Sequence, residues 1–168
     1  VFRRIARKRP GCVPVLMYHS ISDDTETGVP PYYRVATSPR RFAEHLDWLA
    51  AGGYRGVSLE AAVEALTADP PPPQPLVAIT FDDGFRDFQT QAGSALRKHG
   101  FTATMYLPTA FIADQRRSFK GRECLTWDEV RELRAQGIRF GSHTVNHPKL
   151  YDLTWDKIET ELRCSKQR

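Results

Sequence analysis

Residues 76–84 read Leu-Val-Ala-Ile-Thr-Phe-Asp-Asp-Gly, an apolar run that ends in two carboxylates and a glycine. A short continuous apolar run of this kind is typical of a strand buried on both faces of a parallel sheet. Further strands are predicted at 13–18, 102–107 and 138–142. Amphipathic helices lie between these segments. The alternation of strands and helices predicts an α/β fold with a parallel sheet and crossover helices.

Several helices are predicted from residues that satisfy the free amides of a first turn. Ser38, followed by a proline, is one such start signal, and Thr126 with Glu129 three residues later forms a capping-box signature. The predicted helices run from Pro39 to Gly52, from Leu59 to about Ala68, after Gly84 up to His99, from Thr126 through Gln136, and behind Thr154 to Arg168.

The charge of the chain is unevenly distributed. The 168 residues include 24 Lys and Arg against 20 Asp and Glu, a net charge of +4, and five of the basic residues lie in the first nine positions. We therefore divide the chain into a basic N-terminal tail, residues 1–12, and one α/β domain, residues 13–168. The domain is nearly neutral, so nucleic acid is not expected as a partner. No apolar stretch approaches the roughly 18 residues of a transmembrane segment, and no signal peptide is visible.

Asp82 and Asp83 directly follow the strand in 76–84, at the position where parallel α/β folds place their active sites. Adjacent side chains on a strand point to opposite faces, so the chain must turn here if both acids serve one site. Gly84 provides the backbone freedom for that turn. One acid of such a pair can bind a cation while the other moves a proton. The alternative is a turn in which an aspartate only caps the next helix.

His143 and His147 follow the strand at 138–142, four residues apart, a spacing that allows both imidazoles to bind one metal. Pro148 disfavours a helix at His147, so a tight loop is predicted, in which Thr144 can hydrogen-bond backbone amides. A polar surface turn is the alternative. Because both acidic and histidine segments follow parallel strands, they are expected to meet at one rim. One carboxylate and two imidazoles leave coordination positions open, as a catalytic metal requires.

Two segments carry a resemblance to a known family. Residues 80–84, Thr-Phe-Asp-Asp-Gly, and 143–147, His-Thr-Val-Asn-His, resemble the first two motifs of the polysaccharide deacetylases, the NodB-homology or carbohydrate esterase family 4 group. Residues 15–21 resemble the stretch that precedes this domain in members acting on bacterial exopolysaccharides. The resemblance covers roughly residues 13–168 and implies a distorted (β/α) barrel. The family's later Arg-x-Pro-Tyr-like segment and its C-terminal general-acid histidine are absent, so only the N-terminal portion of the barrel is expected.

By this resemblance the protein is a metal-dependent hydrolase that removes N-acetyl, or O-acetyl, groups from a polysaccharide, acting on carbon–nitrogen bonds other than peptide bonds. Asp83, His143 and His147 match the family's metal ligands, and Asp82 matches its catalytic base. Zinc is the expected divalent metal, with cobalt, nickel and manganese as alternatives. A bound cation would lower the pKa of a water molecule and polarise the acetyl carbonyl. The resemblance also implies an extracytoplasmic location and an N-acetylated polysaccharide of the cell envelope, or an exopolysaccharide, as partner.

The remaining histidines are assigned less directly. His19 ends the first predicted strand and is a candidate substrate-binding residue of the same pocket. His45 and His99 fall on predicted helices, where a solvated surface position is expected. A non-catalytic carbohydrate-binding relative and an inactive fragment are alternative functions, although Asp82 argues against a binder, which has no use for a free base. A metal-dependent phosphatase lacks support, since no Asp-x-Asp pair or phosphate-cradling glycine loop is present.

Overall fold

An open parallel sheet organises the protein. The computed structural model describes residues 12–168, so the predicted basic tail, apart from Cys12, lies outside the described residues. The strands of the described part are β1 (Val15–Tyr18), β2 (Ser20–Ile21), β3 (Ala36–Thr37), β4 (Arg55–Val57), β5 (Leu76–Phe81), β6 (Thr104–Leu107), β7 (Ser118–Phe119), β8 (Arg122–Glu123) and β9 (Arg139–Ser142). The α-helices are α1 (Pro39–Ala51), α2 (Leu59–Leu66), α3 (Gly93–Lys98), α4 (Trp127–Ala135) and α5 (Trp155–Lys166).

The main sheet has the order β1-β5-β6-β9, and β4 also pairs with β5. All of these pairings are parallel. Strand β5 is the centre of the sheet, and every residue after Leu76 in it is buried, which is the burial predicted from its continuous apolar sequence. The predicted mixed α/β architecture with a parallel sheet is confirmed. Because parallel strands share a direction, the carboxyl ends of β1, β5, β6 and β9 lie at one edge.

Most helix starts form as their capping residues predict. The Ser38 side chain accepts a hydrogen bond from the Arg41 amide at the start of α1. At the start of α4, Thr126 and Glu129 each bond the other's backbone amide, so the predicted capping box is present. Within residues 12–168, none of the helices has both the length and the apolar character needed to cross a bilayer.

The helix predicted between Gly84 and His99 is wrong in its first half. A wider π-helical turn occupies Phe88–Ala92, and α3 starts only at Gly93. The chain before this turn is fixed by Asp87. Its carboxylate accepts hydrogen bonds from the Ser20 hydroxyl at 2.6 Å and from the Ile21 backbone amide at 3.0 Å. These hydrogen bonds to β2 join residues that are 66 and 67 positions apart in the sequence, so the local sequence pattern could not reveal them.

An aromatic cluster packs behind the end of β5. The ring centroid of Phe81 lies 4.7 Å from that of Phe88, 5.4 Å from that of Tyr18 and 5.7 Å from that of Phe42. The three phenylalanine side chains are fully buried. Rings in such close contact pack at near-crystalline density and allow little movement. The two acids that follow Phe81 therefore emerge from a rigid support.

Candidate active site

Five polar residues meet at the carboxyl edge of the parallel sheet. His19 follows β1, Asp82 and Asp83 follow β5, and His143 and His147 follow β9. Nε2 of His19 lies 3.9 Å from Oδ2 of Asp82. Oδ1 of Asp83 lies 3.2 Å from Nε2 of His147 and 3.8 Å from Nε2 of His143. The structure thus brings the acidic and the histidine segments, which are about 60 residues apart in the chain, to one rim.

The two aspartates occupy different positions because the chain turns between them. Asp83 and Gly84 have φ angles of 71° and 64°, in the left-handed region. The left-handed angle favours glycine at position 84, and a Cβ there would also crowd the side-chain ends of Leu107 and Ile112, at 2.9 Å from Cδ2 and 3.0 Å from Cδ1. Asp83 is consequently turned inward and fully buried, whereas 13% of the Asp82 side chain stays exposed.

The histidine segment is a strained loop rather than a helix, as predicted from Pro148. Thr144 and His147 have φ angles of 64° and 55°, which non-glycine residues rarely adopt. The Thr144 hydroxyl accepts a 3.0 Å hydrogen bond from the His147 amide, which is the loop-holding bond expected from the sequence. The His143 amide donates to the Leu107 carbonyl at 2.8 Å and anchors the loop to β6.

Asp83, His143 and His147 fit a divalent cation. Each offers one ligand atom, and these atoms all lie within 4.8 Å of one another. Oδ1 of Asp83 is buried and, among residues 12–168, has no hydrogen-bond partner, which is costly unless a positive group serves it. Burial lowers the pKa of His147 despite the opposing charge of Asp83, and so favours the neutral imidazole that binds metals. One carboxylate and two imidazoles suit zinc and similar transition metals.

Asp82 is a separate acid beside this cluster. Burial raises the pKa of its carboxyl group, and His143 and His19 partly offset that effect. A largely buried carboxylate with a raised pKa is a better proton acceptor than a solvated one. Asp82 can therefore exchange a proton with a group bound between it and the cluster, while Asp83 faces the two imidazoles.

Lys120 is a site residue that the sequence reading missed. It lies in the turn between β7 and β8, an antiparallel hairpin, and its Nζ lies 3.1 Å from Oδ2 of Asp83. Lys120 and Gly121 both have positive φ angles, 50° and 77°, as the two-residue hairpin turn with the native twist requires. Only the glycine in the turn could have signalled the hairpin, because strands of two residues carry no readable periodicity.

The β7–β8 hairpin is held over the site by Arg122. Its guanidinium donates hydrogen bonds to the hydroxyls of Ser20 and Ser22 at 2.9 and 3.1 Å. It also pairs with Asp24 at 2.7 Å and Glu26 at 3.3 Å. Several charge-assisted bonds to one planar group give a specific orientation. The hairpin thereby forms one side of the site. The ring centroid of Phe119 lies 5.2 Å from that of His147.

The expectation that His45 and His99 are solvated is wrong for both. His45 is half-buried, its Nδ1 lies 3.0 Å from the Tyr18 hydroxyl, and burial lowers its pKa. His99 is also half-buried, and its Nε2 lies 3.0 Å from Oδ1 of Asp47. Their helical positions were predicted correctly for α1 and for the end of α3, but an amphipathic pattern does not show which boundary residue finds a tertiary partner.

Comparison with known proteins identifies the family. The chain matches the polysaccharide deacetylase family over residues 69–168. It is 32% identical over 163 residues, 97% of the chain, to YxkH of Bacillus subtilis, whose name places it among the polysaccharide deacetylases. It is 30% identical over 141 residues, 78% of the chain, to the poly-β-1,6-N-acetyl-D-glucosamine N-deacetylase of Escherichia coli. The chain spans 53% of the length of the first relative and 20% of that of the second.

Solved structures agree with this result. The deacetylase PplD of Streptococcus pyogenes, solved with acetate, superposes with a TM-score of 0.74 at 30% identity, over 92% of this chain and 66% of that one. IcaB from Ammonifex degensii gives a TM-score of 0.67 at 28% identity, over 79% of this chain and 53% of that one. The protein belongs to the polysaccharide deacetylase family. Its parallel sheet and helices form part of the distorted (β/α) barrel that the sequence predicted.

Proposed function

We propose that this protein is a metal-dependent hydrolase that removes N-acetyl groups from a polysaccharide. The single observation that supports this best is the proximity of two unlike acids at one rim, with Asp83 facing two imidazoles and Asp82 standing apart from them. Membership of the polysaccharide deacetylase family supports the reaction type. The name of the Escherichia coli relative supports N-acetylglucosamine polymers as the substrate class. An extracytoplasmic site of action stays a prediction from the family resemblance.

In this proposal Asp83, His143 and His147 hold the divalent cation. Zinc is our first choice because its preferred ligands are of these types, and cobalt, nickel and manganese remain alternatives. Such a cation, when bound, lowers the pKa of a water molecule and polarises a carbonyl group. The strained loop and the turn at Asp83 hold the three ligands close together before any cation arrives, which reduces the ordering that binding has to impose.

Asp82 is the proposed general base. Its carboxylate accepts a proton from the water that attacks the acetyl carbonyl carbon, and that proton passes on to the sugar nitrogen as the carbon–nitrogen bond breaks, so that the products are an amine and acetate. The raised pKa of Asp82 makes its carboxylate a stronger base for this transfer. His19, whose Nε2 lies 3.9 Å from Oδ2 of Asp82, is proposed to contact the substrate beside the base.

The test is acetate release by the purified protein. The protein is stripped with a chelator, reloaded separately with zinc, cobalt, nickel or manganese, and incubated with β-1,6-linked and β-1,4-linked N-acetylglucosamine oligomers. An O-acetylated xylan distinguishes ester from amide cleavage. We expect metal-dependent acetate release from an N-acetylated oligomer and none after stripping. A protein that binds metal and oligomers but releases no acetate would instead be a carbohydrate-binding relative.

A further inference from the structure

Glu161 connects helix α5 to the loop that carries both histidines. Its Oε2 accepts hydrogen bonds from the backbone amides of Val145 at 2.8 Å and Asn146 at 2.9 Å. Its Oε1 accepts a third bond, from the Asn146 side-chain amide at 2.7 Å. One carboxylate therefore serves three donors, all of which lie between His143 and His147 in the chain. These bonds lower the pKa of Glu161 against the opposing effect of burial, so the carboxylate is ionised at neutral pH.

The loop depends on partners at both of its faces. Its carbonyl side is anchored by the amides of Thr109 and Ala110, which donate to the carbonyls of Thr144 and Val145 at 3.1 and 2.9 Å. Its amide side is anchored by Glu161. A loop with left-handed angles at non-glycine residues persists only where surrounding bonds over-determine its shape. Removing the carboxylate would leave two backbone amides without these bonds and let the loop relax.

We propose that Glu161 is a positioning residue for the metal-binding histidines. Its carboxylate fixes the backbone between His143 and His147 so that both imidazoles face Asp83. This inference rests on the proposed function, because it takes those two histidines and Asp83 as metal ligands. Within the part of the chain that the structure describes, residues 12–168, the cluster of ligand atoms consists of those three residues, and Glu161 lies outside it. Its effect on the metal is therefore exerted through backbone geometry.

The chemistry of the three bonds predicts how substitutions rank. Glu161→Ala removes every acceptor. Glu161→Gln keeps the length and one acceptor oxygen, so it can serve either the backbone amides or the Asn146 side chain. Glu161→Asp keeps the charge but is shorter by one methylene, and cannot reach the loop without movement of α5. We expect the Gln variant to be nearest to wild type and the other two to be impaired more strongly.

Three measurements on the purified protein test the proposal. Affinities for zinc and Co²⁺ are measured by competition with a chromophoric chelator, and the visible spectrum of the Co²⁺ form reports ligand geometry. Hydrogen exchange of the Val145 and Asn146 amides is measured without metal. Glu159→Ala is the matched control, since Glu159 lies on the same helix with 76% of its side chain exposed and a 4.0 Å pair to Arg163.

We expect Glu161→Ala to weaken metal binding about 10- to 100-fold, to alter the Co²⁺ spectrum and to speed exchange at both amides, with Glu161→Gln in between. Glu159→Ala should match wild type in all three. If Glu161→Ala and Glu161→Gln both show wild-type metal affinity, Co²⁺ spectrum and amide exchange, the positioning role is overturned and the proposed metal site is unaffected. If the wild-type protein binds neither metal, the proposed metal site is overturned and this role with it, even if the Val145 and Asn146 amides exchange faster in the variants.

Discussion

Nζ of Lys120 lies 3.1 Å from Oδ2 of Asp83, while the other oxygen of the same carboxylate faces the two histidines. The buried charge of Asp83 is thus shared between a lysine on one side and the candidate ligand cluster on the other. An isolated buried carboxylate is strongly disfavoured, so this ammonium group stabilises the folded protein before a cation binds. A cation that enters the cluster must tolerate a positive charge close to its carboxylate ligand.

Lys120→Gln is expected to tighten binding of a divalent cation by about tenfold, because the substitution removes a positive charge that opposes the cation across Asp83. The gain is limited by solvent screening, since 47% of the Lys120 side chain is exposed. The same variant should be less stable than wild type when stripped of metal. Chelator competition and thermal unfolding measure the two effects. Lys98→Gln, which removes a surface charge paired with Asp47, is the control, and equal affinities for both variants would refute the prediction.

Asp82→Asn should retain metal and lose turnover. Asparagine keeps the shape of the side chain but cannot accept the proton of an attacking water, and loss of a general base typically costs roughly 10²- to 10⁴-fold in rate. Acetate release from an N-acetylglucosamine oligomer gives the rate, and elemental analysis of the dialysed protein gives the zinc content. Near-normal turnover in this variant would contradict the assignment of Asp82 as the general base.

His143→Ala and His147→Ala should each abolish stable metal binding. Loss of a direct ligand ought to exceed the roughly 10- to 100-fold cost of losing an outer partner of a ligand. Zinc content after dialysis and chelator competition test this. His99→Ala serves as the control, because His99 pairs with Asp47 at the end of α3. If zinc remains bound when both site histidines are replaced together, the cation is held elsewhere.

The parts of the fold that sequence predicted are those with local signals. Strand β5 has a continuous apolar run, and the capping box of α4 lies within four residues, so both could be located without tertiary information. Strand β4 could not, because three residues between two helices carry no periodicity and their pairing with β5 is a tertiary property.

The candidate site shows the same division. The two acids and the two histidines could be placed at one rim because each pair follows a parallel strand. Lys120 and Glu161 could not, since their contacts with Asp83 and with the histidine loop join residues 37 and 15–16 positions apart through packing of a hairpin and a helix. The residues that hold Asp83 and the histidine loop from outside are therefore the ones that only a structure provides.

Glu129 should make stability fall as the pH is lowered. Burial opposes its ionisation, but hydrogen bonds from Arg116, the Thr126 amide and Arg86 outweigh this and lower its pKa from 4.5 to about 2. Its contribution is therefore present above about pH 4.5 and is lost as the pH falls towards 2. Only 13% of this side chain is exposed, so we expect a loss on the order of 2 kcal/mol after allowance for screening. The free energy of unfolding is measured with urea at about pH 6, above this window, and at about pH 3, within it. It should fall less between the two values in Glu129→Gln, which mimics the protonated acid at both. Glu123→Gln is the control, because Glu123 pairs with Arg86 and Arg116 at the surface. Equal pH dependence in wild type and Glu129→Gln would contradict the assignment.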